Sequence, residues 1–457
     1  MGVQNFVFIT KEVEKMKYTY WVVCFLMLFG LSCMATEITK EQIDKWIEDQ
    51  PTEIDLQSTE ITAQGLYDIL RNVKSLKKLN LAGCKTIKWD STWLDEKSWE
   101  MQTALEDLNL QDTEVIAKGL YYIVKNVKSL KKLNLAGCKT IKWDTWLDED
   151  SWEKQTALED LNLQDTEVTA KGLYDIVKNV KSLKKLNLAG CKTIKWETWL
   201  DEKSWEKQTA LEDLNLQDTE VTAKGLYYIV ENVKSLKKLN LAGCKTIKLD
   251  TWLDEDSWKK QKNLLDLSLK DTIIDDIGLN RIIANVPSLQ KLTLDGCNKV
   301  KFDGLFVLSA DTWVKQKNLL DLSLKDTDIN DIGLGRIIAN VPSLQKLNLD
   351  GCKNIDFQST AILDVDVWKK QKNLTDLSLK NTLINEDGLY RIVSSVPSLQ
   401  KLDFDDCVNI LQKIRADYSN KENLNLNALK NALEEEIKKI ENLFPDFSKA
   451  LSRVVAD

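Results

Sequence analysis

Histidine is missing from all 457 residues. That excludes imidazole general-base catalysis, His-activated nucleophiles and His metal ligands together. A surplus of positive charge is missing too: 63 Lys and Arg face 71 Asp and Glu, a net charge of −8, mixed in sign along the chain. Nucleic-acid binding needs a basic face, and the sequence offers none. Carboxylates and thiols are present, but no motif gathers them with a base or a phosphate-binding loop. A non-catalytic protein is expected, with no cofactor and no metal. Hydrophobic content of 43% and charged content of 29% are those of a soluble folded chain.

What the chain has is repetition. Leu76-Lys-Lys-Leu-Asn-Leu-Ala-Gly-Cys84 returns at Leu130–Cys138, Leu183–Cys191, Leu236–Cys244, Leu289–Cys297, Leu344–Cys352 and Leu399–Cys407. A sister segment, Leu105-Glu-Asp-Leu-Asn-Leu-Gln-Asp-Thr113, returns at Leu158–Thr166, Leu211–Thr219, Leu264–Thr272, Leu319–Thr327 and Leu374–Thr382. A degenerate first copy runs from Glu53 to Thr59, so the segments number 7 + 7 = 14. The spacing L-x-x-L-x-L-x-x-C/T is the strand and corner of a leucine-rich repeat. The fold class is therefore α/β, a leucine-rich repeat solenoid. Strands stack at about 4.8 Å, whereas packed helices need about 8–10 Å. The helical side is longer, so the stack bends into a horseshoe with its parallel sheet on the concave side. Thirteen steps of about 4.8 Å give an inner face on the order of 60 Å long.

Two of the nine cysteines, Cys24 and Cys33, lie near the N-terminus; the other seven close the Cys-type segments. Neighbouring members of that column lie two strands apart, about 9.6 Å. A disulfide needs Cα atoms within about 7 Å, so seven free, buried thiols are expected. Their sulfurs form a line that does not converge on a metal.

Four regions follow. Residues 1–35 are a leader: a polar start, then the apolar run 18–35. It reads as a signal peptide cut after Ala35, as a lipidated segment through Cys33, or as a retained anchor, and the start codon is Met1 or Met16. Each reading implies export to the cell surface or beyond it, with membrane contact only through the leader. Residues 36–51 form an N-terminal capping helix begun by a Thr39/Gln42 capping box, with Ile43, Trp46 and Ile47 on one face. Residues 52–407 are the solenoid. Residues 408–457 carry an amphipathic helix, read as a C-terminal cap or a partner-binding helix.

In the Thr-type units a helix follows the strand. The column Thr62, Thr169, Thr222, Asp275, Asn330, Asn385 shares only a side-chain oxygen, which marks an N-cap; Ile116 is the exception. In the Cys-type units the helical side is acidic and Trp-rich: Trp89, Trp93 and Trp99 recur as Trp143, Trp146 and Trp152, and as Trp196, Trp199 and Trp205. These tryptophans are either the core face of a short helix or an exposed ridge for a sugar or a partner.

Thr272-Ile-Ile-Asp-Asp-Ile-Gly-Leu-Asn-Arg-Ile-Ile-Ala-Asn-Val-Pro-Ser-Leu-Gln-Lys-Leu-Thr-Leu-Asp-Gly-Cys297 resembles the cysteine-containing repeats of F-box substrate receptors. The resemblance covers about residues 52–407 and implies a protein-binding role and structural cysteines. No F-box fits the single helix before the repeats. Membership of a ubiquitin-ligase-like complex is thus an alternative on the resemblance alone; a glycan-binding surface adhesin using the Trp-rich convex loops is another.

The unburied strand positions are expected to be the third, fifth and seventh. Position 3 alternates in sign without a break, from Glu53, Lys78, Asp107, Lys132 to Asp376, Lys401. That row is an internal charge ladder or a checkerboard matched to a repeating partner. Positions 5 and 7 are amide and alanine in the first half, and turn to Lys325, Asp350 and their like in the second. A partner on the early half displaces few charges. The expected partner-binding residues are therefore Asn80, Ala82, Asn109, Gln111, Asn134, Ala136, Asn162, Gln164, Asn187 and Ala189. The expected partner is a protein, and no nucleic acid.

Overall fold

The structure is a computed structural model that describes residues 36–198, 200–247, 255–302, 308–357 and 363–407. The expected leader (1–35) and C-terminal cap (408–457) lie outside the described residues.

Each of the fourteen segments forms one strand of three residues, from Glu53–Asp55 through Asp160–Asn162 to Lys401–Asp403. They make a single sheet in which neighbours in the chain are neighbours in space. Every pairing is parallel and in register; Lys132 lies between Asp107 and Asp160, and Leu133 between Leu108 and Leu161. The sheet is open at both ends. With a helix between each strand and the next, the chain is a leucine-rich repeat solenoid, as the segment spacing requires.

The three leucines of each of the twelve segments from Leu76 to Leu379, such as Leu130, Leu133 and Leu135, are buried. Each strand then turns sharply through a residue with positive φ: Gly in the Cys-type units except the last, where it is Asp406, and Asp or Asn in the Thr-type units, after Ser58 in the first copy. Asp and Asn tolerate that conformation better than other side chains do. Gly137 (φ 72°) needs glycine for a second reason, because a Cβ there would lie 2.1 Å from Asp112 Oδ1.

The Thr-type units carry ten-residue helices, including Ala63–Asn72, Ala117–Asn126 and Ala170–Asn179. The N-cap column works as its chemistry predicts. The side-chain oxygens of Thr62, Thr169, Thr222, Asp275, Asn330 and Asn385 accept from the backbone N–H three residues on, and Ile116 makes no such bond. At Gly119, Gly172, Gly225, Gly333 and Gly388 the third helical residue is pressed by an aromatic ring from the preceding unit, and at Gly65 by Ile43; Trp143 Cε3 lies 3.0 Å from where a Cβ of Gly172 would be.

The Cys-type units carry helices of four or five residues, such as Glu149–Glu153 and Val365–Trp368. Three residues after the last tryptophan comes a glutamine that sequence reasoning passed over. Gln102, Gln155, Gln208, Gln261, Gln316 and Gln371 are all buried. Each Nε2 donates to two carbonyls in the last turn of the preceding long helix; Gln155 reaches Val124 O at 2.7 Å and Val127 O at 2.9 Å. Helix C-termini leave carbonyls without intrahelical partners, and this column satisfies two per double unit from inside the core.

The N-terminal helix Lys40–Asp49 opens with a capping box between Thr39 and Gln42 and lays Ile43 against the first unit. Among the described residues no helix is long and apolar enough to cross a membrane.

Candidate partner-binding face

The charges at position 3 sit side by side on neighbouring strands. Direct contact joins Lys78 to Glu53 at 2.6 Å and Lys401 to Asp376 at 3.5 Å. The aspartates are half-buried and the lysines exposed. Burial pushes the carboxyls of Asp160 and Asp266 up, against the pull of the lysines on either side. A second row of pairs runs at position 2: Lys131–Glu106, Lys184–Glu159 and Lys237–Glu212, at 2.8–3.0 Å. Exposed pairs of this kind contribute roughly 0–1 kcal/mol each, so they order the strands more than they stabilise them.

Position 5 differs from its expected role as open amide surface. Asn80, Asn134 and Asn187 accept from the backbone N–H of Ala82, Ala136 and Ala189 at 3.1 Å; Asn109 and Asn162 do the same for Gln111 and Gln164. These asparagines turn the strand into its corner, and their side chains are half-buried. Gln111 and Gln164 are exposed. Each donates through Nε2 to the following aspartate, Gln111 to Asp112 at 3.1 Å and Gln164 to Asp165 at 3.0 Å. Each also accepts at Oε1 from the asparagine of the next strand, at 3.4 and 3.3 Å.

The alanines correct one expectation: position 7 is not uniformly unburied. Ala82, Ala136 and Ala189 are 7–8% exposed. A methyl group between two taller Gln-Asp pairs sits below the surface they define.

In the second half Ser replaces Asn at position 5 of the Thr-type strands, and a hydroxyl is too short to cap the corner. The aspartate on the neighbouring strand does it instead. Asp295 Oδ1 accepts from Ser323 Oγ and from the Lys325 N–H at 3.1 Å, and Asp350 does the same for Ser378 and Lys380. The late charges are thus partly committed to the backbone.

The alternation of tall and low pairs cuts shallow grooves along the rim where the strands turn. One, of about 510 Å³, is walled by Gln164-Asp165 and Gln217-Asp218 with Ala189-Gly190 between them. The next, of about 550 Å³, has Ala242-Gly243 between Gln217-Asp218 and Lys270-Asp271.

The seven cysteines of the repeats are free and buried, as the strand spacing requires. Each thiol donates to a leucine carbonyl on the preceding strand; Cys138 Sγ reaches Leu110 O at 2.9 Å, with Thr113 Oγ1 3.6 Å away. Burial pushes the thiols of Cys244, Cys297 and Cys352 up to about 11. Among the described residues no group of His, Cys, Asp and Glu is placed to hold a metal.

On the helical side the tryptophans split. Trp89, Trp99, Trp143, Trp152, Trp196 and Trp205 are core residues. Trp93 and Trp146 are 42% and 47% exposed. Their rings tilt against Tyr67 and Tyr121, with centroids 5.3 and 5.9 Å apart, and Lys118 lies over Trp146 at 5.7 Å. Trp199 lies outside the described residues.

No family model matches the chain. Solved structures of similar fold include a leucine-rich repeat protein of Leptospira interrogans, at TM-score 0.57 and 22% identity over 81% of this chain and 82% of that one. An internalin from Listeria monocytogenes matches at TM-score 0.51 and 19% identity, over 80% of this chain and 94% of that one. The Toll–Spatzle complex of Drosophila matches at TM-score 0.51 and 15% identity, over 81% of this chain and 52% of that one. At these identities the likeness is one of fold.

Proposed function

We propose that this protein is an exported, non-catalytic scaffold that binds a protein partner on the early half of its inner face. The observation that carries the reading is the division of that face. In the first half, after Asp55 of the first strand, positions 5 and 7 hold only amides and alanines: Asn80, Ala82, Asn109, Gln111, Asn134, Ala136, Asn162, Gln164, Asn187 and Ala189 lead the row. A partner there desolvates neutral groups. In the second half Asp295 and Asp350 are held by corner caps, and that half stiffens the array. A sheet on the order of 60 Å long presents many weak contacts in series, which suits recognition of a macromolecule more than of a metabolite. The likeness to F-box receptors supports the protein-binding part of that family's role; ligase assembly is not part of the proposal.

Site-specific photo-crosslinking in the native host tests it. A photoreactive residue at Gln111 or Gln164 is expected to capture one discrete protein, and the same residue at Lys325 none. Capture at Lys325 with silence at Gln111 and Gln164 reverses the assignment of the halves.

A second reading has its own observation. Trp93 and Trp146 stay exposed in a fold that buries their neighbours, which fits a sugar-binding ridge on the helical side. Retention on a glycan array that is lost in Trp93→Ala/Trp146→Ala supports it, and silence of the intact protein removes it.

A further inference from the structure

We infer that the Ala-Gly notches of the inner rim take an extended polypeptide of polyproline-II type with a three-residue repeat, lying across the strands. The inference rests on the protein-binding reading above and names the partner's form.

Four notches follow one another: Ala82-Gly83, Ala136-Gly137, Ala189-Gly190 and Ala242-Gly243. Their floors are held low by the fold. Each glycine has φ between 70° and 72°. At Gly137, Gly190 and Gly243 a Cβ would also meet the aspartate of the preceding strand at 2.0–2.1 Å. Their walls are the Gln-Asp pairs from Gln111-Asp112 to Gln217-Asp218, with Gln57-Ser58 before the first notch and Lys270-Asp271 after the last. The units that carry them are nearly identical in sequence, so the floors repeat one shape and the two central notches repeat their walls as well. A surface of identical notches at fixed pitch is best matched by a ligand that also repeats.

The pitch selects the ligand. Two strand spacings make about 9.6 Å. Three residues of polyproline II advance about 9.3 Å. The mismatch is about 0.3 Å per notch, or on the order of 1 Å from the first notch to the last. A β-strand with a two-residue repeat advances about 6.7 Å and falls out of step at the first wall.

The hydrogen-bonding inventory agrees. A polyproline-II chain has no internal hydrogen bonds, so its carbonyls need donors. A glutamine amide has two N–H groups and two acceptor lone pairs. Gln111, Gln164 and Gln217 each spend one N–H on the adjacent aspartate and one lone pair on the next strand's asparagine. One of each is left at each of these three walls. A compact apolar residue in each third place, such as proline, seats on the alanine methyl. The early strands carry no aromatic residue at positions 3, 5 or 7, so a stacked sugar chain finds no platform here. After Ala242 the floor becomes Asp295 and Asp350, and the row of notches ends.

The probe is a fluorescein-labelled peptide of repeated Pro-Gln-Ala triplets long enough to span all four notches, followed by anisotropy on the full chain. Binding is expected to tighten with each added triplet. One extra residue inserted at the middle of the peptide is expected to weaken it about tenfold, because half of the contacts lose register. Ala136→Gln/Ala189→Gln, which fills two notches, is expected to abolish binding while circular dichroism stays unchanged. Should that variant not fold, Gln164→Ala, which lowers an exposed wall, is expected to weaken binding instead. Equal binding of the inserted peptide, of a four-residue repeat, or of a glycan oligomer in the notches overturns the inference. Absence of peptide binding, with crosslinking at Gln111 and Gln164 intact, overturns it and leaves the protein-binding reading standing. Absence of both removes both.

Discussion

Replacing Gln155 by methionine removes a buried donor while keeping the length and volume of the side chain. The Val124 and Val127 carbonyls, now 2.7 and 2.9 Å from Nε2, are left in a dry core. A buried polar group without a partner costs about 1–3 kcal/mol, so the two carbonyls together cost about 2–6 kcal/mol. An opposing effect reduces this. Gln155 Oε1 has no protein partner among the described residues, and removing it returns about 1–3 kcal/mol. The net expectation, taking low with low and high with high, is a loss of about 1–3 kcal/mol. Gln155→Glu sharpens the test. An ionised carboxylate would point one oxygen at two carbonyl oxygens, so the folded state accepts only the protonated acid and raises its pKa. A raised pKa in the folded state gives stability that is present at low pH and lost as pH rises. Gln155→Glu should therefore lie near Gln155→Met at acid pH and well below it at neutral pH. Chemical unfolding followed by tryptophan fluorescence measures both. Because each unit contacts only its neighbours, hydrogen exchange should show the loss concentrated around Ala117–Asn126. If Gln155→Met is as stable as the parent, or if Gln155→Glu is indifferent to pH, the carbonyls do not depend on this side chain and the reasoning fails.

Three further outcomes follow from the same structure. The folded state holds Cys244, Cys297 and Cys352 at about 11, against an ordinary value of 9.0; the folded state therefore retains protons that the unfolded chain releases, and stability should fall as pH rises through that interval. Native protein at pH 8 should leave all seven repeat thiols unalkylated, and rapid labelling there by iodoacetamide would contradict their burial. Trp152→Ala should cost about 3–5 kcal/mol, whereas Trp146→Ala, at an exposed site, should change stability by less than about 1 kcal/mol; equal losses in thermal unfolding would contradict the division between core and surface tryptophans.

The parts of this molecule that could be read from residues alone were those in which one column allows one chemistry. Thr, Asp and Asn share an oxygen, and the N-cap column needed nothing more; even Ile116 stood out as the helix start without a cap bond. The fate of the cysteines followed from strand spacing. The inner face was legible as a place and less so as a surface. Asn134 looked like open amide and is a corner cap, because an asparagine on an alternating strand gives no sign of whether it faces solvent or its own backbone. Ala136 looked accessible, and the height of its neighbours makes it a floor. Gln155 was invisible because a polar residue in an acidic segment reads as solvated; only its fixed distance from Trp152, repeated in each double unit, could have marked it as internal. Asp295 and Asp350 looked like free charges because their partners lie on the following strand.

The contact of Asp112 with Gly137 also governs how such a chain can change in length. From Asp112 and Gly137 to Asp326 and Gly351 an aspartate arches over the glycine of the next corner, and a side chain at that corner would leave the arch no room; only at the ends of the array, with Ser58 over Gly83 and Asp406 after Asn381, does the pairing differ. Deleting one strand would set two aspartate corners together, and like charges together at position 3. The admissible increment is a pair of strands, and the spacing agrees: 158 − 105 = 53 and 211 − 158 = 53 residues. Descendants of this gene should accordingly differ by whole two-strand modules, each adding one more notch.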